Sequence, residues 1–170
     1  MVQTYRAALV GCSRMGAFID NEMAPGSSTV LPYSHAAGYE ACERTELIAG
    51  SDLRPEVLEA FGGRYDVPAS HRYTDYRTMI EREKPDIVSI ATQPEHRTAI
   101  ALFAIEHGVR ALYCEKPLSA SVAEARQLVE AVEKAVIEST LFRHKLQSEA
   151  REALGMARST LDVKRKKYGL

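Results

Sequence analysis

The stretch YRAALVGCSRMG, residues 5–16, decides the fold class. Its first half, from Tyr5 to Val10, is a short and mainly apolar run that ends at Gly11, which predicts a buried strand of a parallel sheet rather than a helix. Its second half, from Gly11 to Gly16, predicts a glycine turn that leads toward a helix. A buried strand followed by such a turn is the first unit of an α/β sheet.

Four further strand signals follow along the chain and alternate with helical ones. They lie at residues 46–51, 72–73, 87–91 and 109–114. Parallel strands need crossover connections, and those connections are right-handed, so five strands that alternate with helices predict a sheet covered by helices on both faces. The predicted fold class is therefore α/β, with a doubly wound, Rossmann-like parallel sheet.

Capping and breaking residues predict where the helices begin and end. Pro55 suits the first turn of one helix, and Gly62-Gly63 is expected to end it. Asp75 is expected to cap a helix that runs to Glu83. Ser121, with Glu124 three residues later, opens a further helix. Its apolar stripe is predicted to use Ala125, Leu128, Val129 and Val132.

The composition is that of an ordinary globular protein, since 45% of the 170 residues are apolar and 26% are charged. The net charge of -1 gives no overall positive field, so neither nucleic acid nor an anionic lipid surface is predicted as a partner. No run of 18 apolar residues predicts a membrane span, and no signal-peptide pattern opens the sequence.

Three cysteines, Cys12, Cys42 and Cys114, are widely spaced and form no CxxC pattern. This usage fits a reducing compartment, so we expect a cytoplasmic location. His35, His71, His107 and His144 show no pairing at metal-ligand spacing. We expect them at the surface or at helix ends, and we expect no metal site.

The length limits the domain organisation, because a dinucleotide-binding domain and a second domain of typical size do not both fit into 170 residues. Residues 135–170 hold eight basic and four acidic side chains, whereas residues 1–134 are net acidic. We therefore predict a nucleotide-binding domain at 1–134 and a helical extension with a frayed, basic tail at 135–170.

The turn after the first strand carries the outer glycines of the GxGxxG dinucleotide fingerprint. In that fingerprint the glycines allow a tight turn, a close approach of backbone to the pyrophosphate, and close packing of helix on strand. The middle glycine is replaced by Ser13, whose side chain narrows the space in which the pyrophosphate approaches the backbone but whose hydroxyl can donate a hydrogen bond to it. The candidate cofactor-binding residues are Gly11, Cys12, Ser13, Arg14, Met15 and Gly16. The alternative is a purely structural turn.

Asp52 ends the second strand, where an acidic side chain accepts hydrogen bonds from the ribose hydroxyls of NAD and repels the 2'-phosphate of NADP. It lies 41 residues after Gly11 instead of the usual roughly 20. Residues 21–34 are rich in Pro, Gly and Ser, and removal of this predicted inserted loop restores the spacing. Arg54 leaves NADP as an alternative cofactor, because a guanidinium two residues after Asp52 can bind a phosphate through two hydrogen bonds. Alternatively, Asp52 caps the next helix.

The loops after the fourth and fifth strands complete the predicted site, since open α/β sheets bind ligands at the carboxyl ends of their strands. Thr92, Gln93 and Pro94 are expected to line the cofactor crevice, and His96 either lines it or caps the next helix. Lys116 follows the fifth strand. It is suited to orient a substrate hydroxyl or to move its proton, provided that partial burial favours the neutral amine. The alternative is a solvated lysine in a turn.

Taken together, these motifs resemble the Gfo/Idh/MocA family of oxidoreductases, and the triplet Glu115-Lys116-Pro117 is the most specific of them. The resemblance covers about residues 4–134. It implies NAD, or NADP, as cofactor and hydride transfer to or from a hydroxyl-bearing carbon of a sugar, cyclitol or related polyol. It also implies that Lys116 is catalytic and contacts both substrate and nicotinamide ribose, beside Glu115.

Members of this family continue into a second α/β domain, which supplies substrate-binding residues, an Asp/His pair and usually the oligomer interface. The 36 residues after position 134 are too few and too charged for that sheet. Three hypotheses therefore stay open. The chain is a dehydrogenase, an NAD-binding module without catalysis, or an assembly protein that forms homo-oligomers through its extension.

Overall fold

A computed structural model describes residues 3–23 and 31–170. Within these residues a sheet of five parallel strands has the order β3-β2-β1-β4-β5. The strands are β1 (Tyr5–Val10), β2 (Thr45–Ser51), β3 (Arg72–Tyr73), β4 (Ile87–Ile90) and β5 (Ala111–Cys114). The chain changes direction across the sheet between β1 and β4, which is the doubly wound topology. The predicted fold class is confirmed.

Four α-helices connect these strands: α1 (His35–Glu40), α2 (Pro55–Tyr65), α3 (Tyr76–Glu83) and α4 (Pro94–Glu106). Short helical turns also occur at Arg14–Phe18, Ile19–Glu22 and Ala69–His71. The predicted cap at Asp75 is confirmed, because its carboxylate accepts hydrogen bonds from the backbone of Arg77 and Thr78. Residues 24–30 of the predicted inserted loop lie outside the described residues.

The predicted end of α2 at Gly62-Gly63 is wrong. The helix runs through both glycines to Tyr65 and ends at Asp66, whose φ of 53° is left-handed. The Tyr65 ring is buried, and its hydroxyl donates a 2.6 Å hydrogen bond to the carbonyl of Ala17. Burial of an aromatic ring outweighs the cost of about 1 kcal/mol that each glycine adds to a helix interior.

One side of the sheet packs against α1 and α2. Leu9 of β1 is fully buried there beside Phe61 and Leu58 of α2 and Ala36 of α1. Because side chains alternate along a strand, Ala8 and Val10 point to the opposite face, and both are buried as well. A strand buried on both faces explains why the run at residues 5–10 is nearly continuous in apolar character.

The glycine turn brings β1 and the following helical turn into close contact. A Cβ atom at Gly16 would lie 1.9 Å from the carbonyl oxygen of Gly11, which no real side chain tolerates. Gly11 itself has a left-handed φ of 89°, and a Cβ there would lie 2.9 Å from the Ala91 backbone. Both glycines are therefore required by the packing of the turn.

The chain divides into two compact units, Met1–Val122 and Ala123–Leu170. The predicted division at position 134 falls inside α5 (Val122–Arg143), which crosses it without a break. The second unit contains most of α5, together with α6 (Gln147–Leu154) and α7 (Arg158–Tyr168). No helix in residues 3–23 or 31–170 is long and apolar enough to cross a membrane.

Two expectations for the second unit are wrong. The basic tail is not frayed, because α7 buries Leu161 and its Lys164 and Tyr168 both bond to Glu133 of α5 at 2.5 Å. The apolar stripe of α5 is not a buried face either, since the side chains of Val129 and Val132 are exposed. Of the predicted stripe, Leu128 is buried as expected, and the other buried residues of the helix are Ile137 and Thr140.

We expect the Gly16→Ala substitution to destabilise the protein by about 2 to 4 kcal/mol, because the new methyl group must displace backbone rather than a flexible side chain. Gly63→Ala is the matched control. No atom lies within 4 Å of a Cβ there, so this change should stabilise α2 by up to about 1 kcal/mol. Urea unfolding followed by circular dichroism measures both; equal effects would contradict the close approach.

Candidate functional site

A crevice of about 560 Å³ lies at the carboxyl ends of the strands. Its wall is built from the loops that follow β1, β2, β3 and β4, together with the first turns of α4. Seven residues that the sequence analysis singled out line it: Gly11, Ser13, Asp52, Arg54, Thr92, Gln93 and His96. The topology thus brings segments separated by up to 85 positions into one concave surface.

Asp52 is held in this crevice by two backbone N–H groups. The amide of Cys12 donates to its Oδ2 at 3.1 Å, and the amide of Arg54 donates to its Oδ1 at 3.1 Å. The first of these bonds ties the glycine turn to the end of β2. The N-cap residue of α2 is Arg54, so Asp52 is not the cap of that helix.

The Arg54 guanidinium also lies on the Asp52 carboxylate. The Nε atom of Arg54 is 3.1 Å from Oδ1 of Asp52, and the Nη2 atom of Arg54 is 3.4 Å from Oδ2. A carboxylate has about four lone-pair sites, and the two amides and two guanidinium contacts fill them. Ribose hydroxyls therefore reach Asp52 only when Arg54 turns away, which its half-exposed side chain allows.

Several lining residues were missed by the sequence analysis. They are Leu53, Thr74, Tyr76, Arg77, Ala99 and Ile100. The guanidinium of Arg77, in the first turn of α3, lies 4.6 Å from the centroid of the Tyr76 ring, so the lining of the crevice contains a second cationic residue besides Arg54. The signal was available, because any loop that follows a parallel strand reaches the same edge of the sheet.

Other candidate cofactor-binding residues lie outside the lining of the crevice. Cys12 and Gly16 are buried behind it, and Met15 and Pro94 are half-buried. Burial raises the pKa of the Cys12 thiol, and the neighbouring carboxylate of Asp52 raises it further. Arg14 forms an exposed ion pair with Glu22 at 2.8 Å. Of these residues, Cys12 meets the crevice through its backbone amide.

Arg97 joins the loops that follow β4 and β5, and the sequence analysis missed it. The side chain is buried and donates to the carbonyl of Thr92 at 2.6 and 2.9 Å, to that of Glu115 at 2.9 Å, and to that of Pro117. A buried guanidinium needs such partners. One side chain therefore fixes the relative position of two loops at the carboxyl edge.

A second polar network lies behind Glu115. Its Oε1 accepts from His35 Nε2 at 3.2 Å, and its Oε2 accepts from the backbone of Lys116. In the neutral imidazole, Nδ1 then accepts from the Ser89 hydroxyl at 3.0 Å, and that hydroxyl accepts from Tyr39. Burial raises the pKa of Glu115, but the bonds from His35 and Lys116 lower it by more.

His35 was expected at the surface or at a helix end; it begins α1, and its side chain is buried. Its ring stacks on Tyr113 at 4.4 Å between centroids. Lys116 is exposed, so the described residues do not supply the partial burial that the proposed acid–base role requires. Across 3–23 and 31–170, no group of three His, Cys, Asp or Glu is placed to hold a metal.

These features define an NAD-binding domain of the Rossmann type. The family described as "Oxidoreductase family, NAD-binding Rossmann fold" matches residues 5–137, which is more than half of the chain. The chain therefore belongs to the Gfo/Idh/MocA oxidoreductase family, and the predicted resemblance is confirmed.

Relatives of this chain include three dehydrogenases and a protein described as "Glycosyl hydrolase family 109 protein 1" from Phocaeicola vulgatus. D-apiose dehydrogenase from Paraburkholderia graminis is 30% identical over 157 residues, which cover 92% of this chain and 36% of that protein. The structure of myo-inositol 2-dehydrogenase from Lactobacillus plantarum has a TM-score of 0.62 at 20% identity, covering 79% of this chain and 34% of the other. The chain thus spans about a third of the length of the relatives it matches.

A structure solved with cofactor has the same fold. The WlbA dehydrogenase from Bordetella pertussis, in complex with NADH and UDP-GlcNAcA, has a TM-score of 0.62 at 22% identity and covers 78% of this chain and 35% of its own. At that identity the likeness shows the fold alone. A different family, described as "Bacterial regulatory protein, Fis family", matches residues 128–168.

We expect Arg97→Met to cost about 3 kcal/mol of stability, because three carbonyl groups lose a charged donor that the methionine cannot replace. Arg110→Met is the matched control, since Arg110 is exposed and its contact to Asp86 is 3.4 Å long, a pair worth under about 1 kcal/mol. Urea unfolding measures both changes. Hydrogen exchange at residues 115–118 should become faster in Arg97→Met and stay unchanged in Arg110→Met, because Arg97 holds the loop after β5 in place.

Proposed function

We propose that residues 1–134 bind NAD in the crevice at the carboxyl edge of the sheet. The observation that carries this proposal is the convergence of the glycine turn, Asp52 and the loop at Thr92 on one cavity of about 560 Å³. The donor set fits a dinucleotide. Ser13 offers a hydroxyl to phosphate, and Asp52, held by two amides, offers acceptors to ribose once Arg54 turns away.

The proposed reaction is hydride transfer to or from a hydroxyl-bearing carbon of a sugar, cyclitol or related polyol. When bound, the nicotinamide supplies the hydride acceptor or donor. Lys116 is the proposed catalytic residue, and it takes the hydroxyl proton in the oxidative direction and returns it in reduction. Arg97 and Glu115 act as positioning residues, since both hold the backbone around Lys116.

The second candidate function is an NAD-binding module that does not turn over substrate. The exposed Lys116 favours it, because an acid–base lysine needs partial burial and the described residues leave this one open to solvent. Homo-oligomerisation through residues 135–170 and a cytoplasmic location stay predictions.

The Asp52→Asn substitution tests cofactor choice. Wild-type protein should bind NAD more tightly than NADP, because the carboxylate repels a 2'-phosphate. The neutral amide keeps an acceptor for the Cys12 amide but removes the repulsion, so the ratio of NAD to NADP affinity should fall by about tenfold or more. Calorimetric titration with both cofactors measures it. Asp86→Asn, which lies at the start of β4 on the opposite edge, should leave the ratio unchanged.

Turnover separates the two candidate functions. NADH oxidation is followed against a panel of ketoses and inosose-type ketones with wild-type protein and with Lys116→Met. An active enzyme should lose about 10²-fold or more in kcat on losing the lysine while its NADH affinity stays within a few fold. Cofactor binding without turnover by the wild type would establish the binding module. Failure to bind either NAD or NADP would refute both functions.

A further inference from the structure

Within the second compact unit, Ala123–Leu170, two helices follow each other with the short, glycine-containing connection that a helix-turn-helix has. Its helices α6 and α7 are joined by the three residues Gly155, Met156 and Ala157. Gly155 ends α6 with a left-handed φ of 63°. Two helices joined by a turn of three or four residues that contains glycine form the motif that places its second helix in the DNA major groove.

α7 has two faces of different character. One face packs within the unit, because Leu161 is buried and Lys164 and Tyr168 bond to Glu133 of α5. At about 100° per residue, the opposite face spans roughly 140° of the helix. It consists of Arg158, Ser159, Asp162, Val163 and Lys166, all of which are exposed.

We propose that this face of α7, defined by Arg158, Ser159, Asp162, Val163 and Lys166, binds in the major groove of duplex DNA. The match of residues 128–168 to the regulatory-protein family described above supports the assignment independently of the geometry. The proposal departs from our sequence-based expectation of no nucleic-acid partner.

Charge complementarity favours DNA as the occupant. Residues 144–170 carry seven basic and three acidic side chains, a net charge of +4, although the whole chain has a net charge of -1. Lys164 and Lys167 are already paired with Glu133 and Glu130 of α5. Lys166 is exposed on the proposed face, so it is the lysine best placed to contact a phosphate.

The remaining side chains of the face suit the reading of base edges. Arg158 is a bidentate donor for guanine, Asp162 is an acceptor for the cytosine amino group, and Val163 offers an apolar contact for a thymine methyl. The Nε atom of Arg158 lies 3.9 Å from Oδ2 of Asp162, and both side chains are exposed. Such a pair is worth under about 1 kcal/mol, so DNA contacts can replace it. A contact with a thymine methyl would also explain why Val163, an apolar residue, is exposed on this charged helix.

Binding is tested with the full chain and a fluorescent pool of random duplexes of about 30 base pairs, followed by selection of the tightest sequences. We expect binding that weakens steeply with salt. Lys166→Ala should weaken binding about equally on selected and random duplexes and reduce the log–log salt slope by about 1. Arg158→Ala should lose about 10- to 100-fold on the selected sequence and much less on the random pool.

Arg110→Ala in the first unit removes the same charge and should change DNA affinity by less than about twofold. Thermal melts and NAD titration of each variant check folding separately. Absence of duplex binding at low salt would overturn the proposal. Equal loss in Arg158→Ala and Arg110→Ala, or full competition by duplex RNA, whose deep and narrow major groove excludes a helix, would overturn groove binding by α7.

Discussion

The carbonyl oxygen of Gly11 occupies the space that a side chain at position 16 would need, and the first unit depends on this contact. It allows the helical turn after β1 to lie against the strand. The amide of Cys12 is thereby left at the edge of the sheet, where it donates to Asp52 at the end of β2. A steric demand at one glycine pair thus fixes the geometry of a polar site 36 residues further along the chain.

The carboxyl edge of the sheet is held together by buried polar groups. Arg97 links the loops after β4 and β5 through three carbonyl groups, and the network of His35 and Glu115 supports the second loop from behind. Every group in these networks has a partner within the fold. The crevice is therefore shaped in advance of any ligand. Lys116, in contrast, is exposed, so the burial of its side chain depends on a group that covers it, such as a bound ligand.

Local signals in the sequence predicted the strands and the Asp75 cap, because these depend on residues close together in the chain, and the general rule for parallel sheets predicted seven of the residues that line the crevice. The end of α2 was wrong because the burial of Tyr65 is a tertiary effect that overrides glycine propensity. The link that Arg97 makes to the loop after β5 and the bond between His35 and Glu115 could not be found, since these partners lie 18 and 80 positions away. The net charge of -1 led to the expectation of no nucleic-acid partner, because it averages a net acidic segment, residues 1–134, and a basic one, residues 135–170.

The glycine turn also divides its own positions into fixed and variable ones. Gly11 and Gly16 face backbone atoms and have no room for any side chain. Ser13, between them, lines the open crevice and is only half-buried. Replacement of the middle glycine therefore costs this fold little, so that position is where the turn can diverge among related chains and adjust its affinity for phosphate while keeping its shape.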